Sequence, residues 1–110
     1  MTRLLYPMPL TQEDRAELYE EWKQRNPGVW AEIVTWAVEI NASGRRVSTK
    51  YLVEKARYES RHHIEPVPFL DVYGNEHEYK INNTDTPLMA RDLLAFFPDM
   101  NIELRKRAGE

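Results

Sequence analysis

The chain has no cysteine, and that absence removes disulfides and thiolate metal sites together. It fits a reducing compartment, so a cytoplasmic location is expected. Glycine is scarce: the four present, at 28, 44, 74 and 109, have neither P-loop nor GxGxxG spacing. No phosphate-cradling loop of those kinds is expected. No apolar run approaches the ~20 residues of a membrane span, and no signal-peptide pattern stands near Met1, so no membrane partner is expected. Ser43, Ser48 and Ser60 lie outside any GxSxG context. His62 and His63 are adjacent, and adjacent side chains on a helix or strand point apart; His77 stands alone, and HExxH is missing. The expectation is therefore a protein that is not an enzyme and holds no metal or cofactor.

What is present suits one folded unit. In 110 residues, 42% hydrophobic and 30% charged content argues against disorder and for a single domain. Trp22, Trp30, Trp36, Phe69, Phe96 and Phe97 are the expected bulky core members. The net charge of −3 is unevenly spread. Residues 1–40 carry −3, residues 41–61 carry +4, residues 62–100 carry −5 and residues 101–110 carry +1. The central basic block is the feature that needs a reason.

Residues 1–10, with Pro7 and Pro9, read as an N-terminal arm pinned by Leu4, Leu5 and Tyr6. A single domain over 11–104 and a basic tail over 105–110, with Arg105, Lys106 and Arg107, complete the expected layout. Thr11 can cap a helix running to about Lys23, with Glu13 and Asp14 in the favourable first turn. Asn26-Pro27 is a second start, an Asn cap followed by Pro, so the first two helices meet at a corner. Trp30, Ile33, Val34, Ala37 and Ile40 keep helical spacing up to a stop at Gly44. Ser48 can cap a third helix over about 49–60. Leu52, Ala56 and Tyr51 or Tyr58 are read as its inner face. Lys50–Glu54 and Lys55–Glu59 are possible charge pairs on its outer face.

Phe69–Tyr73 and His77–Ile81 flank Gly74-Asn75-Glu76, which predicts a β-hairpin. Thr86-Pro87 then opens a fourth helix ending at Pro98. The fold class expected is mainly α with a small hairpin, a winged-helix-like variant of the helix-turn-helix.

Two clusters carry the functional expectation. Arg45 and Arg46 precede the third helix, whose first turn holds Ser48, Thr49 and Lys50. Long cations with hydroxyl and backbone donors at a helix N-terminus are what phosphate contacts use. A solvated helix face explains the same residues without a ligand. Lys80, Asn82, Asn83 and Arg91 form the second cluster, beside the start of the fourth helix. Asn and Arg can address base edges or phosphates there. Asp85, Asp92 and Asp99 would oppose an anion, and Asn-rich segments also serve as turns.

The segments Asn26-Pro27-Gly28-Val29, Gly44-Arg45-Arg46-Val47-Ser48-Thr49-Lys50, Glu54–Tyr58, Lys80-Ile81-Asn82-Asn83 and Ala90-Arg91, with Pro98 and an Arg-rich end, resemble small uncharacterised proteins of bacteriophages and prophages. The likeness covers about residues 20–107. It implies a phage-encoded protein with a winged-helix-like pattern, found in the host cytoplasm. The stretch from His62 to Glu78 is longer than in those proteins. Two functions are open at this point. One is DNA binding, in regulation or genome handling, with the Arg45–Lys50 turn holding phosphate and the Asn82–Arg91 segment entering a groove. The other is binding of a host or phage protein, for anti-defence or host takeover, through the acidic segments. The oligomeric state is left open by the sequence.

Overall fold

A computed structural model describes residues 4–102. The order is α1 (Gln12–Arg25), α2 (Pro27–Ala42), α3 (Thr49–Glu59), β1 (Val67–Leu70), β2 (Glu76–Tyr79), a 3-10 turn (Asn83–Asp85) and α4 (Thr86–Phe96). The protein is mainly helical, with one small antiparallel hairpin, in a single domain. α2 packs on α3 and α3 on α4, while the hairpin lies against α1. Among the described residues no helix is long and apolar enough to cross a membrane. The expected tail cations Arg105, Lys106 and Arg107 fall outside the described residues.

Helix boundaries follow local chemistry. Thr11 and Asp14 form a reciprocal capping box, each side chain answering the other residue's backbone N–H. Gly44 takes φ +82° just past α2, a conformation that L side chains rarely adopt. Ser48 caps α3 by accepting from the Tyr51 N–H at 3.2 Å.

Asn26 departs from the expected cap. It ends α1 and begins α2, but its side chain makes no capping bond. Instead the amide is buried and reaches Glu65, donating to its carbonyl at 2.9 Å and accepting from its N–H at 2.7 Å. A second bond from the same Nδ2 meets the Trp22 carbonyl at 2.8 Å. One side chain thus fastens the helix corner to the irregular segment that leads into β1.

The core is built from Leu18, Tyr19, Trp22, Val29, Ile33, Leu52, Val53, Met89 and Leu93, with Phe69 and Tyr79 from the hairpin. Trp30, Trp36 and Phe97 are only partly buried against it. Phe96 is a correction: at 68% exposed it lies outside the core. Helical spacing aligns Phe96 with Met89 and Leu93, but it is the last residue of α4, where the chain leaves the helix at Phe97 and the core has ended. On α3 the inner face is Leu52, Val53 and Ala56, and both tyrosines point outward.

The hairpin is shifted from its expected position. Val67 pairs with Tyr79, Phe69 with His77 and Leu70 with Glu76. Leu70 turns its N–H and C=O to the N-terminal arm, meeting the Leu4 carbonyl and the Tyr6 N–H at 2.9 Å each. Pro68, two residues earlier, has the same orientation, so its missing N–H removes nothing from the ladder with β2. That is how β1 starts at Val67 despite its prolines. Tyr6 is fixed further by edge contact with Phe69 and a hydrogen bond to Glu17 at 2.9 Å. Burial and that carboxylate raise its phenol to about 12.

Asp71, not the expected strand end, organises the turn. Its Oδ1 accepts from the N–H groups of Tyr73 and Asn75 at 2.9 and 3.0 Å. Its Oδ2 meets His77 Nε2 at 2.9 Å and the Asn75 amide at 3.2 Å. His77 is stacked on Phe69, which holds the ring in place. The His77 bond, opposed by burial and helped by the turn's N–H groups, draws the Asp71 carboxyl down to about 2. An unfolded aspartate titrates near ~3.9. The folded value lies lower, so the turn's contribution is complete above the unfolded value and is lost as pH falls through the folded one. The backbone N–H signals of Tyr73 and Asn75 are therefore expected to move together in one transition centred near pH 2. A two-dimensional NMR titration checks this, and Asp71→Asn should abolish the shared transition.

Candidate functional site

A cleft of about 400 Å³ opens between the start of α3 and the start of α4. It is lined by Arg46, Val47, Ser48, Thr49 and Lys50 on one side, and by Asn83, Thr86, Pro87 and Ala90 on the other. Two helix N-termini therefore face one space. The first-turn N–H groups of a helix lack intrahelical partners, and the aligned peptide dipoles put partial positive charge there. Neither helix has an acidic residue in its first turn, but the N-cap of α4 is Asp85, which is paired with Arg15, and Pro87 offers no N–H, so the α3 start is the richer in donors. Ser48 uses its oxygen on Tyr51. Lys50 is exposed and enters no ion pair among the described residues.

The far wall is held from behind. Asp85 is 1% exposed, and its Oδ1 accepts from Arg15 at 3.1 Å. Its Oδ2 receives the Asn82 N–H at 3.4 Å, while Asn82 Oδ1 accepts from the Thr84 N–H at 2.8 Å. This capping box shapes the 3-10 turn that presents Asn83. The buried Tyr79 phenol is raised by burial and then by the Asp85 charge nearby. Asp85 is thus matched by Arg15, and Asp92 by Lys23 at 2.5 Å. Two of the three carboxylates expected to repel an anion are in ion pairs.

Of the residues singled out in the sequence, Arg46, Ser48, Thr49, Lys50 and Asn83 share this cleft. Arg45, Lys80, Asn82 and Arg91 do not line it. Arg45 donates to the Ser43 hydroxyl at 3.0 Å, and Lys80 is 3.8 Å from Glu78. Asn82 is committed to the turn and to Arg15, at 3.4 Å. Thr86 opens α4 as its first residue and not as its cap: Asp85 precedes the helix, and Thr86 Oγ1 donates back to the Asn83 carbonyl at 3.1 Å. Arg15, 70 residues from Asp85, carries no sequence signal for this role. Of the expected charge pairs on α3, Lys55–Glu59 forms at 3.2 Å, and Lys50–Glu54 is absent among the described residues.

Among the described residues no group of three or more histidines and carboxylates is placed to hold a metal. Compared with protein-family models, curated proteins and solved structures, the chain matched none.

Proposed function

We propose that the protein binds nucleic acid, with DNA as the ligand, and that the α3–α4 cleft receives a backbone phosphate. One observation carries this reading: Arg46, Lys50, Ser48, Thr49 and Asn83 converge on a space faced by two helix N-termini. In this reading α2, the turn at Gly44 and α3 act as a helix-turn-helix, and the β1–β2 hairpin as a wing. The phage origin implied by the sequence likeness belongs to the same proposal. Partner-protein binding through acidic surfaces has less to stand on, because Glu20, Glu21, Asp85 and Asp92 are drawn into ion pairs.

Titration of a labelled random duplex by fluorescence anisotropy tests the proposal. Two to four phosphate contacts predict a loss of roughly 10- to 150-fold in affinity between about 50 and 200 mM salt. Lys50→Glu is expected to weaken low-salt binding by about tenfold and to flatten the salt slope. Wild-type protein that binds neither duplex nor single strand at the lower salt would refute the proposal.

A further inference from the structure

The outer face of α3 carries a second pattern, which shares only Lys50 with the cleft. Tyr51 is 50% and Tyr58 79% exposed, although the core takes its α3 contacts from Leu52, Val53 and Ala56. The tyrosines are seven residues apart, so they stand on one strip with a rise of about 10.5 Å between them. Lys50 and Arg57 are also seven apart and form a parallel strip about 100° round the helix. A cation accompanies each ring: Lys55 Nζ lies 5.9 Å from the Tyr51 centroid, and the Arg57 guanidinium carbon 5.8 Å from that of Tyr58. Both Lys50 and Arg57 are exposed.

We propose that this face of α3 is a stacking platform for the unpaired bases of single-stranded nucleic acid. The inference rests on the nucleic-acid reading above and names the strand type. Aromatic rings bind bases face to face, and every base offers such a face once it is unstacked. In a duplex only base edges can be reached, and those are read best by Asn, Gln and Arg. α3 has neither Asn nor Gln, and its single arginine, Arg57, lies against the Tyr58 ring. Its paired strips instead match a chain that offers bases on one side and phosphates on the other. Glu59 is neutralised by Lys55 at 3.2 Å, so Glu54 is the remaining acid of the helix. The cation strip leads from Arg57 through Lys50 towards the cleft, so one strand can occupy the platform and the phosphate site together.

The experiment compares labelled oligothymidylate of about 15 nucleotides with a duplex of equal length at one salt concentration. Wild-type protein is expected to prefer the single strand. Tyr51→Ala and Tyr58→Ala should each weaken single-strand binding by roughly 5- to 100-fold and leave duplex binding within about twofold. Tyr51→Phe and Tyr58→Phe should bind as wild type, since the ring is kept. Both tyrosines are exposed, and circular dichroism of the variants verifies that the fold is kept. Salt-dependent duplex binding with no single-strand preference, or alanine variants that bind single strand like wild type, would overturn this inference and leave the phosphate site standing. Failure of both ligands to bind removes both.

Discussion

Trp22→Ala is expected to lower folding stability by about 3–5 kcal/mol, the largest loss of any single change considered for this chain. Trp22 is completely buried, at the point where α1 ends and the helix corner begins. Its backbone carbonyl also receives the Asn26 amide, so the ring and the corner settle as one unit. Alanine loses the transfer free energy of the indole and leaves a cavity that two helices and the hairpin cannot all close. A domain of this size has a total stability of only ~5–15 kcal/mol, so the variant sits near the edge of folding. Urea denaturation followed by far-UV circular dichroism measures the loss. Trp22→Phe should fall well short of it. The indole Nε1 has no hydrogen-bond partner among the described residues, so losing that donor breaks no bond.

Asp85→Ala comes next, with an expected destabilisation of about 2–3 kcal/mol. Breaking a fully buried pair costs more, but Arg15 is 25% exposed and water screens part of the interaction. The change also removes the acceptor for the Asn82 N–H and opens the capping box of the 3-10 turn. Arg15→Met should be similarly harmful, because it leaves a carboxylate buried beside Tyr79 without its cation. Arg15→Met/Asp85→Ala should cost less than the two single losses added together, since no charge is then stranded. Denaturation midpoints of the three variants check the cycle. Additive losses in the double variant would show that the pair itself is not the source. Under the proposed function, Asp85→Ala should also weaken binding of a nucleic acid, because Asn83 and Thr86 line the cleft from the segment it holds.

The starts of α1 and α3 and the stop of α2 were legible because their causes lie within four residues, whereas the caps expected of Asn26 and Thr86 were not what the fold uses. Thr11 meets Asp14, Ser48 meets Tyr51, and Gly44 turns just past α2. The near wall of the cleft was legible for the same reason, since Arg46 to Lys50 is one turn and one helix start. The opposite wall was only half legible. Asn83 stood out, but Thr86, Pro87 and Ala90 had no chemistry to mark them until the fold set them across from Lys50. Long-range polar pairs left no local sign: Asn26 reaches Glu65 across 39 residues and Arg15 reaches Asp85 across 70. The face of α3 was ambiguous because Tyr51, Leu52 and Val53 are consecutive and all suit a core. Burial chose the two aliphatic ones. The hairpin slid because Asp71 gathers the turn's N–H groups around its carboxylate, which draws Val72 and Tyr73 out of the strand.

The arm alongside Leu70 has a wider effect. Through the Leu4 carbonyl and the Tyr6 N–H it occupies the flank of β1 that β2 leaves bare. A strand flank with open donors and acceptors is a template on which a foreign strand can grow. Those few residues act as a sheath over that flank, and trimming them is expected to lay its donors and acceptors at Leu70 open to another chain.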